Sequence, residues 1–271
     1  MAKTINCENH PIGVFDSGLG GLTVYRELKK ILPGEKFIYF GDTARVPYGN
    51  KSADTIKRYA FEISYFLARK GIKLLVVACN TVSAIALDDL QEAFRFPVVG
   101  VVQAGVELVA GLPGQSRVAV IGTTRAIKSR AYQTLLSQKL PAARIYGQPC
   151  PLFVPLIEEG LEETVLLPAT LDHYLAALRR RKPDSLILGC THYPLIEHEI
   201  GDYFGNSTRV INSGRAVAMK VAEVLGGARS RILSSSDEFY LTDKQANFQK
   251  ISRKFLGFSI PKINIIRNSI I

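Results

Sequence analysis

Short β-branched apolar runs alternate with amphipathic stretches along nearly the whole chain, and this alternation constrains the fold more than any other feature. Runs at 12–15, 37–40, 74–78, 98–102, 118–121, 186–188 and 209–211 read as strands. Between them, 22–32, 52–70, 83–94, 127–136 and 168–181 carry apolar residues at helical spacing. Continuously apolar strands, unlike alternating ones, are buried on both faces, and crossover helices are what cover them. The predicted class is therefore α/β with parallel sheets. At 271 residues and 47% hydrophobic composition, the chain can form one large domain or two of ordinary size.

An internal echo favours two. Leu74-Leu75-Val76-Val77-Ala78-Cys79-Asn80-Thr81 resembles Leu186-Ile187-Leu188-Gly189-Cys190-Thr191-His192, each an apolar strand ending in Cys and small polar residues. Val14-Phe15-Asp16-Ser17 and Val120-Ile121-Gly122-Thr123 repeat at a similar offset. Two pseudo-symmetric parallel-sheet halves are expected, with the active site in the cleft between them. The seams fall near Pro97 and Asn206, giving one discontinuous unit of 1–97 plus 211–271 and a second of 98–210. The segment from Phe258 to Ile270-Ile271 alternates apolar and polar residues and suggests no function.

Cys7, Cys79, Cys150 and Cys190 lie far apart, without CxxC or metal-ligand spacing, so neither a metal site nor a redox pair is expected. No apolar run approaches the roughly 20 residues that span a bilayer. Residues 1–10 are polar and carry no export signal, so a cytoplasmic protein with free thiols and no membrane association is expected. The net charge of +10 raises the question of nucleic acid. The cations are scattered, however. The dense run Arg179-Arg180-Arg181-Lys182 closes a helix ahead of Pro183, where cations suit the helix dipole. A nucleic-acid partner is not expected.

In open α/β sheets ligands bind beyond the carboxyl ends of strands, and four motifs stand there. Asp16-Ser17-Gly18-Leu19-Gly20-Gly21 has glycines for tight turning, but it is neither GxGxxG nor a Walker A loop, which argues against a nucleotide. Gly41-Asp42 leads to a Pro47-Tyr48-Gly49 turn. Cys79-Asn80-Thr81 and Cys190-Thr191-His192 place a thiol where exposed backbone N–H groups lower its pKa. Adjacent Asn and Thr can hold a carboxylate or ammonium group, and His192 can tune or exchange the Cys190 proton.

A free cysteine is usually an inert buried residue; two of them at equivalent strand ends are not accounted for in that way. A disulfide is disfavoured in a reducing compartment, and a hydrolase would use one thiol and leave the other unexplained. Racemisation uses both, because it needs a base on one face of a carbon and an acid on the other, exchanging roles in reverse.

Taken in order, these motifs, with Ala78-Cys79-Asn80-Thr81, Gly189-Cys190-Thr191-His192-Tyr193-Pro194 and Cys150-Pro151-Leu152-Phe153 leading to Glu158-Glu159-Gly160, resemble the glutamate racemase family from about Pro11 to Gly257. The resemblance implies a two-domain fold and conversion of glutamate to D-glutamate for peptidoglycan, with neither pyridoxal phosphate nor metal. It also implies a homodimer. It makes Cys79 and Cys190 the acid/base pair, assisted by Asp16 and His192. Ser17, Tyr48, Gly49, Asn80, Thr81, Thr123 and Thr191 become substrate-binding residues, with Glu158 a further candidate. Two positions depart from the family pattern: Ala126 stands where many relatives have Thr, and Asn212 where an acidic residue is common. Both are expected to bear on substrate affinity.

Two alternatives remain at this stage. One is an aspartate or hydantoin racemase, which the Asp-Ser-Gly and Pro-Tyr-Gly motifs and His192 argue against. The other is an inactive basic binding protein, motivated by the charge and opposed by the intact cysteine pair.

Overall fold

The computed structural model describes residues 10–226, 236–244 and 248–266; Cys7 and Ile270-Ile271 lie outside them. The described strands form two parallel sheets. The first contains β1 (Ile12–Asp16), β2 (Phe37–Gly41), β3 (Leu74–Val77), β4 (Val98–Gly100), β9 (Glu238–Leu241) and β10 (Asn264–Ile265), in the order β10-β9-β2-β1-β3-β4. The second contains β5 (Arg117–Gly122), β6 (Arg144–Pro149), β7 (Ser185–Gly189) and β8 (Arg209–Asn212), in the order β6-β5-β7-β8. Four consecutive strands of the first sheet, β2-β1-β3-β4, ending at its β4 edge, repeat the order of the second. The echo read from sequence is thus an echo of topology.

Register makes the correspondence closer. Phe15 pairs with Val77 across β1 and β3, and Ile121 pairs with Leu188 across β5 and β7. Two residues beyond each pair come Ser17 with Cys79, and Thr123 with Cys190. The burial of β1, β2, β3 and β7 is complete along their lengths. Each fully covered Val, Leu, Ile or Phe contributes roughly 1.5–3 kcal/mol, so these strands hold the site on a rigid base.

Several expectations change. The 98–102 run is not one strand: β4 stops at Gly100, and Val101–Ala110 is helical, burying Val101, Val102, Val106 and Val109. A run of apolar residues does not reveal its own period. The predicted 127–136 helix is two, Thr124–Lys128 and Ala131–Lys139, broken at Arg130 in the left-handed region (φ 61°). The 83–94 helix begins three residues earlier, at Asn80. β6 was not foreseen, because its Gly147 and Pro149 interrupt any strand pattern.

Sheet membership also shifts the expected seams. Val98–Gly100 extends the first sheet rather than opening the second unit, and Arg209–Asn212 stays whole in the second sheet. The chain then returns to the first sheet: helix Ser213–Val224 packs against helix Leu22–Ile31, and β9 pairs with β2. The 258 tail contributes β10, a short edge strand on β9. No helix among the described residues is long and apolar enough to cross a membrane.

Candidate active site

The carboxyl ends of β1, β3, β5 and β7 converge on one cavity of about 360 Å³. Ser17, Tyr48, Gly49, Cys79, Asn80, Thr81, Thr123, Glu158, Cys190, Thr191 and His192 all line it, so residues 175 positions apart in sequence share one wall. Val46, Pro47, Pro151, Val154 and Pro155 add an apolar rim, and Thr124 adds a hydroxyl that sequence reading missed. The Val154 and Pro155 wall comes from the short helix Phe153–Glu158, whose sequence carries no periodic signal long enough to read.

Cys79 sits at the N-cap of helix Asn80–Ala93. Its thiol donates to Ser17 Oγ at 3.3 Å, and the Val82 N–H also reaches the sulfur. Those helix-start contacts were expected to lower the thiol pKa, and they do act in that direction. They are outweighed. Burial and then the Asp16 charge push Cys79 up to about 12. In a dry cleft the cost of desolvating a thiolate exceeds what two hydrogen bonds return.

Asp16 does not line the cavity; it lies fully enclosed behind the Ser17-Gly18 turn. Its Oδ2 accepts the Gly18 N–H at 2.9 Å. Burial nevertheless raises its pKa, against the opposing effect of those backbone N–H groups. No described residue hydrogen-bonds to Oδ1. Asp16 and Cys79 thus form a buried pair that disfavours two simultaneous negative charges.

The other side of the cleft is built differently. His192 Nδ1 lies 3.8 Å from Cys190 Sγ, and its Nε2 lies 2.9 Å from Glu158 Oε1. Burial alone would lower the imidazole, but its bonds to Cys190 and Glu158 hold it up at about 10. Phe255 meets the ring edge-on at 5.4 Å and fixes its plane. Cys79 is therefore partnered by a carboxyl group and Cys190 by a cation.

The two halves are stitched across the cleft by side chains. Thr81 and Thr123 hydroxyls lie 3.0 Å apart, Thr23 Oγ1 donates to the Thr191 carbonyl at 2.7 Å, and Tyr132 OH donates to Asn80 Oδ1 at 2.6 Å. Gly20 permits this approach, since a Cβ there would lie 2.3 Å from Thr191 Oγ1. Tyr48 lines the cavity, yet its hydroxyl is given to Asp42, which also accepts from Arg45 and Thr242. That buried carboxylate holds the Pro47-Tyr48-Gly49 turn in place.

The two departures stand away from the cavity. Ala126 is fully buried and its N–H donates to Thr123 Oγ1 at 3.2 Å. Asn212 caps helix Ser213–Val224, accepting from the Gly214 and Arg215 N–H groups and donating to Glu197. Neither side chain lines the cavity, although the Ala126 N–H is bound to the cavity residue Thr123. Cys150 is buried with its sulfur 3.6 Å from the Gln148 carbonyl, and it serves as core.

The chain is similar to known proteins over most of its length. It is 45% identical over 249 residues to glutamate racemase of Geobacter metallireducens, spanning 91% of this chain and 92% of that one. It is 45% identical over 253 residues to glutamate racemase of Aquifex aeolicus, spanning 93% and 96%. Among solved structures, glutamate racemase from Francisella tularensis subsp. tularensis in complex with D-glutamate superposes with a TM-score of 0.88 at 38% identity, over 96% of this chain and 98% of that one. The family model described as Asp/Glu/Hydantoin racemase matches residues 12–221, which takes in every cavity residue from Ser17 to His192. An isomerase fold with a paired-cysteine cleft, near relatives that are racemases and a family match over most of the chain give one answer: this chain belongs to the Asp/Glu/Hydantoin racemase family.

Proposed function

We propose that this racemase interconverts L- and D-glutamate by two-cysteine proton transfer, needing neither pyridoxal phosphate nor metal, and supplies D-glutamate for peptidoglycan. The observation that carries the reading is that Cys79 and Cys190 follow equivalent strands of two matching sheets and line one cavity. We further propose that each sheet, with its covering helices, is a unit that presents one cysteine. Substrate identity is supported by the relatives, including the one bound to D-glutamate.

An α-proton beside a carboxylate is weakly acidic, so the base must be a desolvated thiolate and the developing enediolate must be met by fixed donors. On one side we assign the Cys79 proton to the buried Asp16 carboxylate, whose charge is near enough to the thiol to raise its pKa. The Cys79 thiolate then removes the α-proton, forming an S–H bond as the C–H bond breaks. Cys190 delivers its proton to the opposite face, and the His192 cation beside it balances the charge left on sulfur. The reverse reaction exchanges the roles. Asn80, Thr81, Thr123 and Thr191 hold the substrate's polar groups. Among the described residues no Arg or Lys lines the cavity; His192 is its cation, and neutral amide and hydroxyl donors meet the substrate carboxylates.

The test is circular dichroism of L- and D-glutamate, with L-aspartate as comparison, in deuterium oxide. Deuterium should enter the α-position of the inverted product. Cys79→Ser and Cys190→Ser should each lower racemisation at least a thousandfold while retaining exchange from one enantiomer. Near wild-type racemisation by either variant would remove the two-base mechanism, and faster turnover of aspartate would remove the substrate assignment. A cytoplasmic location and a homodimer complete the proposal; light scattering tests the second.

A further inference from the structure

Asn80 lines the cavity immediately after Cys79 and is almost wholly buried. Its Oδ1 accepts the Tyr132 hydroxyl at 2.6 Å, while no described residue accepts from its Nδ2. An amide with one end engaged and the other without a partner is a donor held in readiness, since an unmade buried hydrogen bond is costly. Tyr132 comes from the other half, on helix Ala131–Lys139, and is fully buried. Its ring packs against Gly189, the residue before Cys190: a Cβ there would lie 3.2 Å from Tyr132 Cε2. One side chain thus touches the strand end that carries Cys190 and grips the residue that follows Cys79.

We infer that Tyr132 is a positioning residue for racemisation: across the cleft it fixes the Asn80 amide so that Nδ2 faces the substrate, and it sets the spacing of the two cysteine loops. The inference rests on the racemase reading of this cavity and deepens it. Burial raises the Tyr132 pKa, so the phenol stays protonated and donates at any working pH. With the phenol donating to Oδ1, the amide oxygen is engaged and the NH₂ is left as the free end. Tyr132 reaches this place because the helix starts anew at Arg130, whose left-handed backbone (φ 61°) turns the chain after Lys128.

Tyr132→Phe keeps the ring against Gly189 and removes only the grip on Asn80. The expected result is a roughly tenfold rise in KM for glutamate with kcat within about threefold, as for loss of one binding contact. In an Asn80→Ala background the same change should leave KM unaltered, because Tyr132 acts through Asn80. An equal KM effect in both backgrounds, or unchanged KM in the single variant, overturns the inference. A merely structural role would lower the fraction of active enzyme and the melting temperature without moving KM.

A second readout does not depend on turnover. The Asn80 side-chain NH₂ resonance, assigned by its loss in Asn80→Ala, should shift toward the position of a free amide in Tyr132→Phe. An unchanged resonance overturns the inference. Absence of glutamate racemisation by the wild type overturns the functional reading instead, so the two failures are distinguishable.

Discussion

Gly20 joins the two halves of the site most closely, and Gly20→Ala is the sharpest perturbation of that contact. A Cβ at this position would lie 2.3 Å from Thr191 Oγ1 and 2.6 Å from both Nδ1 and Cε1 of His192, where ordinary contact begins near 3.4 Å. Thr191 can turn its hydroxyl aside, although its carbonyl stays bound to Thr23. His192 cannot, because Glu158 holds Nε2 and Phe255 covers the ring. A gap of about 0.8 Å, the difference between those two distances at His192, must open by parting the loops. Overpacking of this size costs about 1–3 kcal/mol, against the 5–15 kcal/mol that typically holds a domain folded. The variant therefore folds, with a melting temperature lower by a few degrees. Displacement of reacting groups on the order of 1 Å lowers the rate about a hundredfold. Racemisation followed by circular dichroism and thermal melting measure both effects. An alanine variant with more than half the wild-type kcat/KM would show that the loops do not need this spacing.

Other consequences follow from the same contacts. The pKa of His192 is raised from 6.5 to about 10, so its pairing stabilises the fold fully below about pH 6.5 and is lost as pH rises through about 10. Glu158→Gln should flatten that decline in denaturation midpoint and shift the alkaline limb of racemisation to lower pH; parallel pH curves for the two proteins would refute it. Asp42 is fully buried beneath three donors, so Asp42→Ala should destabilise by about 3 kcal/mol in urea titration. It should also raise KM through the Tyr48-Gly49 turn, and a loss below about 1 kcal/mol would show that the network is slack.

The α/β class, most strands and the cysteine pair were legible in the sequence because each depends on local pattern. Buried parallel strands are continuously apolar, and a strand end must carry its functional residues within two or three positions. Those signals survive in Leu74–Val77 before Cys79 and in Ser185–Gly189 before Cys190. The chain's own repetition, β2-β1-β3-β4 against β6-β5-β7-β8, was legible as echoed motifs.

What only the tertiary structure decided concerns partners from distant segments. The sequence placed Tyr48 at the substrate site and it lines the cavity, but only the fold shows that Asp42 takes its hydroxyl. It suggested that helix-start N–H groups lower the Cys79 pKa, whereas burial and Asp16 raise it to about 12. It passed over Tyr132 altogether, since an aromatic near a helix start looks like core until Asn80 is seen beneath its hydroxyl. Apolar period and strand-end chemistry are one-dimensional properties. Desolvation and hydrogen-bond pairing across a cleft depend on which strand ends meet, and only folding brings those together.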